Sequence, residues 1–488
     1  MTSPSISELI EQARVSAQAL VEFGGHLFRP TIRLGITGLS RAGKTVFLTA
    51  LVHGLLRGGR FPVFEALATG RLARAHLAPQ PDDAVPRFDY ETHVCALVEE
   101  HNWPASTRHI SELRVVIEYQ SHNGAARTLT LDIIDYPGEW LLDLPLLARS
   151  YEQWSAESLA LSREHPRRQA AAQWQAHLRT LDPTAPADEQ AALTAARLFT
   201  DYLRSCRDEP YGLSMLPPGR FLMPGELAGS PALTFAPLDI PNDGAAPEGS
   251  LWAMMRRRFE AYKNVVVRPF FREHFSRLDR QIVLVDALAA FNAGTEAVCD
   301  LERTLAGIFD CFRVGRTSLL GKLFSPRIDR ILFAATKADH LHHASHDRLE
   351  AILKRLTERA IARAKFEGAQ VDVIALAAVR ATREASVECA GERLPSILGI
   401  PAAGQVIGRQ TFDGATEAAV FPGDLPADPS MLFERMTAAA AADIPHGADV
   451  NFLRFRPPAL ETTATGTVAL PHIRLDRALQ FLIGDRLA

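Results

Sequence analysis

The chain has 488 residues, 47% of them hydrophobic and 23% charged, with a formal net charge of −4. That composition supplies core for one large elaborated domain or two to three smaller ones, and the near-balanced charge argues against a global nucleic-acid binder. Five scattered cysteines (Cys95, Cys206, Cys299, Cys311 and Cys389) make no CxxC pair and read as reduced cytosolic thiols, and no apolar run reaches the about 18 residues of a membrane span.

Residues 1–30 carry Ile6, Leu9, Ile10, Ala13, Ala17, Leu20 and Val21 at helical spacing, with Ser5 or Ser7 as a cap. This predicts an amphipathic helix, packed on the protein or on a partner, and not a signal peptide. A short β-branched and aliphatic run follows at 31–37, then "GLSRAGKT" from Gly38 to Thr45, then a helical pattern at 44–57. Strand, GxxxxGK[ST] loop and helix in that order form a phosphate-binding loop. Its glycines turn backbone N–H groups toward phosphate oxygens, and the helix start adds positive dipole. Gly38, Ser40, Arg41, Ala42, Gly43, Lys44, Thr45 and Val46 are the candidate phosphate-side residues. Lys44 reaches the β- and γ-phosphates, and Thr45 holds Mg²⁺.

Further strands are expected at 112–120, 127–135, 280–287, 328–336 and 371–377, with a helical pattern at 346–366. Alternating strands and helices predict a doubly wound α/β domain with a mostly parallel sheet covered on both faces. Two insertions interrupt it. The first, 58–110, ends in the loop "NWPASTRHI", where Thr107 is the candidate for a second Mg²⁺ hydroxyl, with Ser106 as the alternative. The second, 140–279, is mainly helical near 145–179, 187–206 and 251–278. Residues 31–139 and 280–380 make the core. A C-terminal extension, 381–488, carries a hairpin at 404–421, an Ala-rich stretch at 437–444 and a closing amphipathic helix.

The third strand ends in "IIDYPGEW". An Asp-x-Pro-Gly sequence is a common turn. At the end of a strand beside the loop-bearing one, Asp135 can reach Mg²⁺ through water and the Gly138 N–H can meet a γ-phosphate. The fifth strand ends in "TKAD" (Thr336, Lys337, Asp339). A carboxylate matches the two adjacent donors of guanine and leaves adenine unpaired, a discrimination worth about 10⁴-fold or more. Lys337 lays its stem on the base, and the Thr336 hydroxyl braces the phosphate loop. After the last strand, Ala377 and Ala378, with Val379 beside them, are placed to offer N–H groups to the base oxygen. Two of only six lysines among 53 basic residues, Lys44 and Lys337, fall in these two motifs. His342 and His346 stand four apart as a metal-pair spacing that lacks a completing ligand, and the basic, aromatic stretch 254–275 reads mainly as a solvated helix face.

Together "GLSRAGKT", "WPASTR", "DYPGEWLLDLPLL", "GRFLMPG", "QIVLVDAL" and "FAATKAD" resemble the YcjX-like family of bacterial P-loop GTPases, over roughly residues 5 to 487. The resemblance implies a Ras-like core with helical additions, binding of GTP or GDP with Mg²⁺, and slow GTP hydrolysis in the cytoplasm. It also implies a bacterial stress role and a membrane-protein partner, YcjF. Glu139 stands where small GTPases usually place the water-orienting glutamine. Beside a γ-phosphate about 5 Å away its charge meets a repulsion of about 3 kcal/mol at an effective dielectric of about 20. It therefore swings out, pairs with an arginine, or acts as a base once the site closes.

Overall fold

In a computed structural model, residues 30–39, 41–241, 245–310, 328–389, 392–430, 452–460 and 468–488 are described. Ser40, the Ala-rich stretch 437–444 and all but the last residue of the expected N-terminal helix lie outside them.

Among the described residues a seven-stranded sheet is built from β1 (Thr31–Gly38), β2 (Leu72–Ala78), β3 (Ser111–Gln120), β4 (Ala126–Asp135), β5 (Arg280–Val285), β6 (Arg330–Ala335) and β7 (Gln370–Ala375). Their order is β2-β3-β4-β1-β5-β6-β7. From β4 to β7 all neighbours run parallel, while β2 and β3 form an antiparallel margin. Strand β2 escapes the sequence pattern because "LARAHLA" is half exposed at the sheet edge and poor in β-branched residues. Strand β5, by contrast, is buried at all six positions, as a central parallel strand requires.

One face of the sheet is covered by helix α1 (Lys44–Arg57), through Phe47, Leu48 and Leu51, and by the closing amphipathic helix Leu475–Ile483, through Leu479 and Leu482. The other face receives Leu301 and Leu305 of helix Thr295–Asp310 against Val283 and Phe333. Two expected long helices are broken. The 251–278 stretch passes through a π turn at Lys263–Val267, and 346–366 breaks at Thr357, whose hydroxyl bonds back to the Leu353 carbonyl. The expected hairpin near 404–421 appears as a two-residue ladder, Val406–Ile407 with Gln410–Thr411, and Ala418–Val420 pairs instead with Glu392–Gly399.

The helices between β4 and β5 share a core of Trp154, Trp174, Phe199, Phe235 and Phe259. Tyr136, Trp140, Leu141 and Leu144, the residues that follow Asp135, are buried in this same core. Phe259, Tyr262, Phe270 and Phe275 of the basic aromatic stretch also lie inside it, so its aromatic side faces protein.

A buried ion pair ties these helices to helix Thr295–Asp310, which packs on the sheet. Arg167 meets Asp300 of helix Thr295–Asp310, and the other Asp300 oxygen accepts from Ser214 N (2.6 Å) and Met215 N (2.8 Å). Asp300→Ala strands a buried guanidinium and two amides, and is expected to cost about 3–5 kcal/mol in urea unfolding.

Candidate functional site

The three motifs meet at the carboxyl edge of the parallel strands, the side where open α/β sheets place ligands. The loop after β1 turns through left-handed residues at Arg41 (φ 63°) and Gly43 (φ 83°) before α1 begins at Lys44. Ala42 and Lys44 are buried, and the Lys44 ammonium donates to the Gly38 carbonyl at 2.9 Å. Val46 sits in the first turn of α1, half buried.

Thr45, Thr107 and Asp135 come together. The Thr45 and Thr107 hydroxyls are 3.1 Å apart, and Thr107 donates to Asp135 Oδ2 at 2.5 Å. Ser106 is exposed and stands outside this cluster. Asp135 is fully buried, and its Oδ1 has no hydrogen-bond partner among the described residues. Burial pushes its carboxyl up to about 6, against the pull of Lys44 and the Thr107 hydroxyl. An orphaned carboxylate oxygen beside two hydroxyls is a set of hard oxygen ligands of the kind Mg²⁺ takes, so the residues present fit that ion.

Gly138 lies directly against the phosphate loop. A Cβ at this position would stand 1.8 Å from the Gly38 carbonyl oxygen. On its other side, the next residue's backbone is pressed by the second insertion: a Cβ on Gly219 would stand 1.7 Å from the Glu139 carbonyl oxygen. The Glu139 side chain is 7% exposed and makes no ion pair among the described residues. It lines a cavity of about 670 Å³ together with Arg41, Arg207, Asp286, Lys337 and Arg454. The cations around it are already engaged, Arg41 and Arg207 with Asp208, Arg454 with Glu209, and Lys337 with Asp286.

At the end of β6, Thr336 donates its N–H to the Val285 carbonyl at 2.9 Å. Its hydroxyl also points to that carbonyl (3.4 Å) and not to the phosphate loop, which corrects the bracing role expected for it. Lys337 is left-handed (φ 61°), with its ammonium on Asp286. Asp339 is buried, and its Oδ2 accepts from Ala381 N at 2.8 Å. The base-side loop departs from expectation at Ala377, whose N–H is taken by the Ile473 carbonyl in a bridge to the C-terminal extension. The amides of Ala378 and Val379 have no protein partner among the described residues. The His342–His346 pair does not form, because His346 is buried with Nε2 on the Ala338 carbonyl at 2.9 Å.

Two residues of this region have no role assigned from the sequence, although both lie in stretches that carry the family resemblance. Asp286 holds Lys337, and Asp143 anchors the Gly219–Arg220 turn. Each is a single carboxylate in an apolar run, "LVDAL" and "LLDLPLL", and that isolation is the signal that could have pointed to them.

Comparison with known proteins places this architecture among relatives. A family model described as the YcjX-like family, DUF463, matches residues 32–487. A protein of Escherichia coli (strain K12) named Ras-like GTPase YcjX is 39% identical over 472 residues, covering 93% of this chain and 96% of the relative. One of the same name from Shewanella oneidensis MR-1 is 35% identical over 485 residues, covering 93% and 94%. No helix among the described residues is long and apolar enough to cross a membrane.

Proposed function

The chain belongs to the YcjX-like family, and from that premise we propose that it binds GTP and GDP with Mg²⁺ and slowly hydrolyses GTP, changing shape with the nucleotide. The observation that carries this reading is the orphaned Asp135 oxygen set beside the Thr45 and Thr107 hydroxyls at the mouth of the phosphate loop. Both relatives bear the name Ras-like GTPase, which favours guanine over adenine.

In this reading the residues divide the work. Lys44 exchanges the Gly38 carbonyl for β- and γ-phosphate oxygens. Thr45, Thr107 and Asp135 would hold Mg²⁺, which when bound would supply charge neutralisation for the phosphates. Gly138 offers its N–H to the γ-phosphate, and the free oxygen of Asp339 pairs with guanine. Glu139, unpaired and nearly buried, accepts a proton from the attacking water. The stress role and the YcjF membrane partner implied by the family resemblance belong to the same proposal, as does division of the chain into a core, two insertions and a C-terminal extension.

Two measurements test it. Calorimetry is expected to show GDP binding at least about 100-fold tighter than ADP, and equal competition by ADP rejects the guanine assignment. In single-turnover assays Glu139→Ala is expected to lose about 100-fold in GTP hydrolysis. An unchanged rate makes Glu139 a bystander, and no phosphate release by the wild type leaves a nucleotide-dependent scaffold as the better reading.

A further inference from the structure

The second insertion grips the segment after Asp135 through one buried carboxylate. Asp143, 2% exposed, lies on the 3₁₀ turn Gly138–Ala148, four residues beyond Glu139. It accepts from Gly219 N at 2.7 Å, from Arg220 N at 3.3 Å and from the Tyr262 hydroxyl at 2.7 Å. Burial pushes this carboxyl up to about 6, and the three donors pull against that shift. The turn that Asp143 fixes is the one pressed on the Glu139 carbonyl. Its next residue, Arg220, lies over the Trp140 ring at 3.1 Å from the centroid, with its guanidinium on Glu226 at 3.1 Å. The Trp140 indole N–H donates to the Met223 carbonyl at 2.9 Å. Both neighbours on the chain, Glu139 and Trp140, are thus held by the segment 219–223, and Asp143 is the group that holds the start of that segment.

We propose that Asp143 is a positioning residue for hydrolysis, which fixes the Glu139 backbone through the Gly219–Arg220 turn and so lets the second insertion set the rate of GTP turnover. This rests on the reading of Glu139 given above. The geometry explains why a carboxylate is needed. Its two oxygens meet three donors, whereas an asparagine amide at the same place presents one acceptor and one donor group. Asp143→Asn therefore leaves at least one of the two amides, or the hydroxyl, facing an N–H₂.

The experiment uses the full chain with two readouts. Asp143→Asn is expected to lower single-turnover GTP hydrolysis at least tenfold while GDP affinity stays within threefold of wild type, because the phosphate loop and Asp339 are untouched. Tyr262→Phe, which removes one donor and keeps the carboxylate, is expected to fold normally and lose about threefold. The second readout is the emission of Trp140, taken as wild type minus Trp140→Phe, which is expected to change in Asp143→Asn as the Arg220 stack loosens. Hydrolysis within twofold of wild type in both variants overturns the proposal. So does a loss of GDP affinity as large as the loss of rate, which marks a merely structural role. If the wild type itself releases no phosphate, the hydrolysis reading fails, and an unchanged Trp140 signal in Asp143→Asn overturns the coupling separately.

Discussion

Gly138→Ala is expected to abolish GTP hydrolysis, with a loss of about 10³-fold or more. An oxyanion-type donor alone is worth about 10²–10³-fold, and here its placement and that of its neighbours are disturbed together. The added Cβ would lie 1.8 Å from the Gly38 oxygen, 2.9 Å from the Gly38 carbonyl carbon and 3.0 Å from that of Leu39. All three are backbone atoms, so no rotamer relieves the clash. One of the two backbones must move. The Gly38 carbonyl is also the present partner of Lys44, so movement on that side displaces the ammonium as well. The fold is expected to survive, since β4 and the apolar clusters on both sides lie outside the clash. A single-turnover assay with a circular-dichroism check measures this. Gly124→Ala is the control: that glycine has φ 80° on the β3–β4 turn with open space around it, so it tests strain without contact. It is expected to cost about 1 kcal/mol of stability and leave hydrolysis unchanged. A Gly138→Ala enzyme that turns over normally removes the γ-phosphate contact from the mechanism.

Asp339→Asn is expected to exchange base preference, lowering GDP affinity by about 10³-fold or more and improving xanthosine diphosphate by a similar factor. One Asp339 oxygen already accepts from Ala381 N at 2.8 Å, so the asparagine carbonyl will keep that bond. The amide N–H₂ then faces the base. Guanine presents donors there, and two donors repel. Xanthine carries a carbonyl in place of the amino group and accepts. Competition of the two diphosphates for the variant, read by calorimetry, decides the matter. Equal weakening of both nucleotides assigns Asp339 to holding the Ala381–Thr382 loop and not to reading the base.

Much of the sheet was legible because its central strands obey simple rules. A strand buried on both faces, such as 280–285, carries a continuous apolar stretch, here Ile282–Val285, and the phosphate loop sets glycine at the left-handed Gly43 just before its helix. The edge strand 72–78 was illegible for the converse reason: half exposed, it is free to carry Arg74 and His76, and no period survives. Strand 392–399 hid behind Pro395, which ordinarily demotes a strand. At the site, Thr45 and Asp135 could be read because each sits in a motif with its own local grammar, whereas Thr107 was a positional candidate with Ser106 beside it; the structure brings the three together. Ala377 could not be, because its N–H is taken by Ile473, 96 residues away, and no local pattern reports such a long-range bond. The roles of Asp143 and Gly219 were hidden in the same way, although both lie in stretches that carry the family resemblance. Their meaning lies in a contact between two segments that the sequence keeps far apart.

The close stacking of Gly38, the Gly138–Glu139 peptide and Gly219 has a mechanical consequence. Side chains normally pad the space between chain segments, and padding yields: a rotamer turns, and a small shift is absorbed. Here three main chains rest on one another with no room for a single added carbon at Gly138 or Gly219. A displacement at any of these three contacts therefore meets main chain, with no side chain between to absorb it. Main chain against main chain, and not a cushion of side chains, is what joins the phosphate loop to the segment that begins at Gly219.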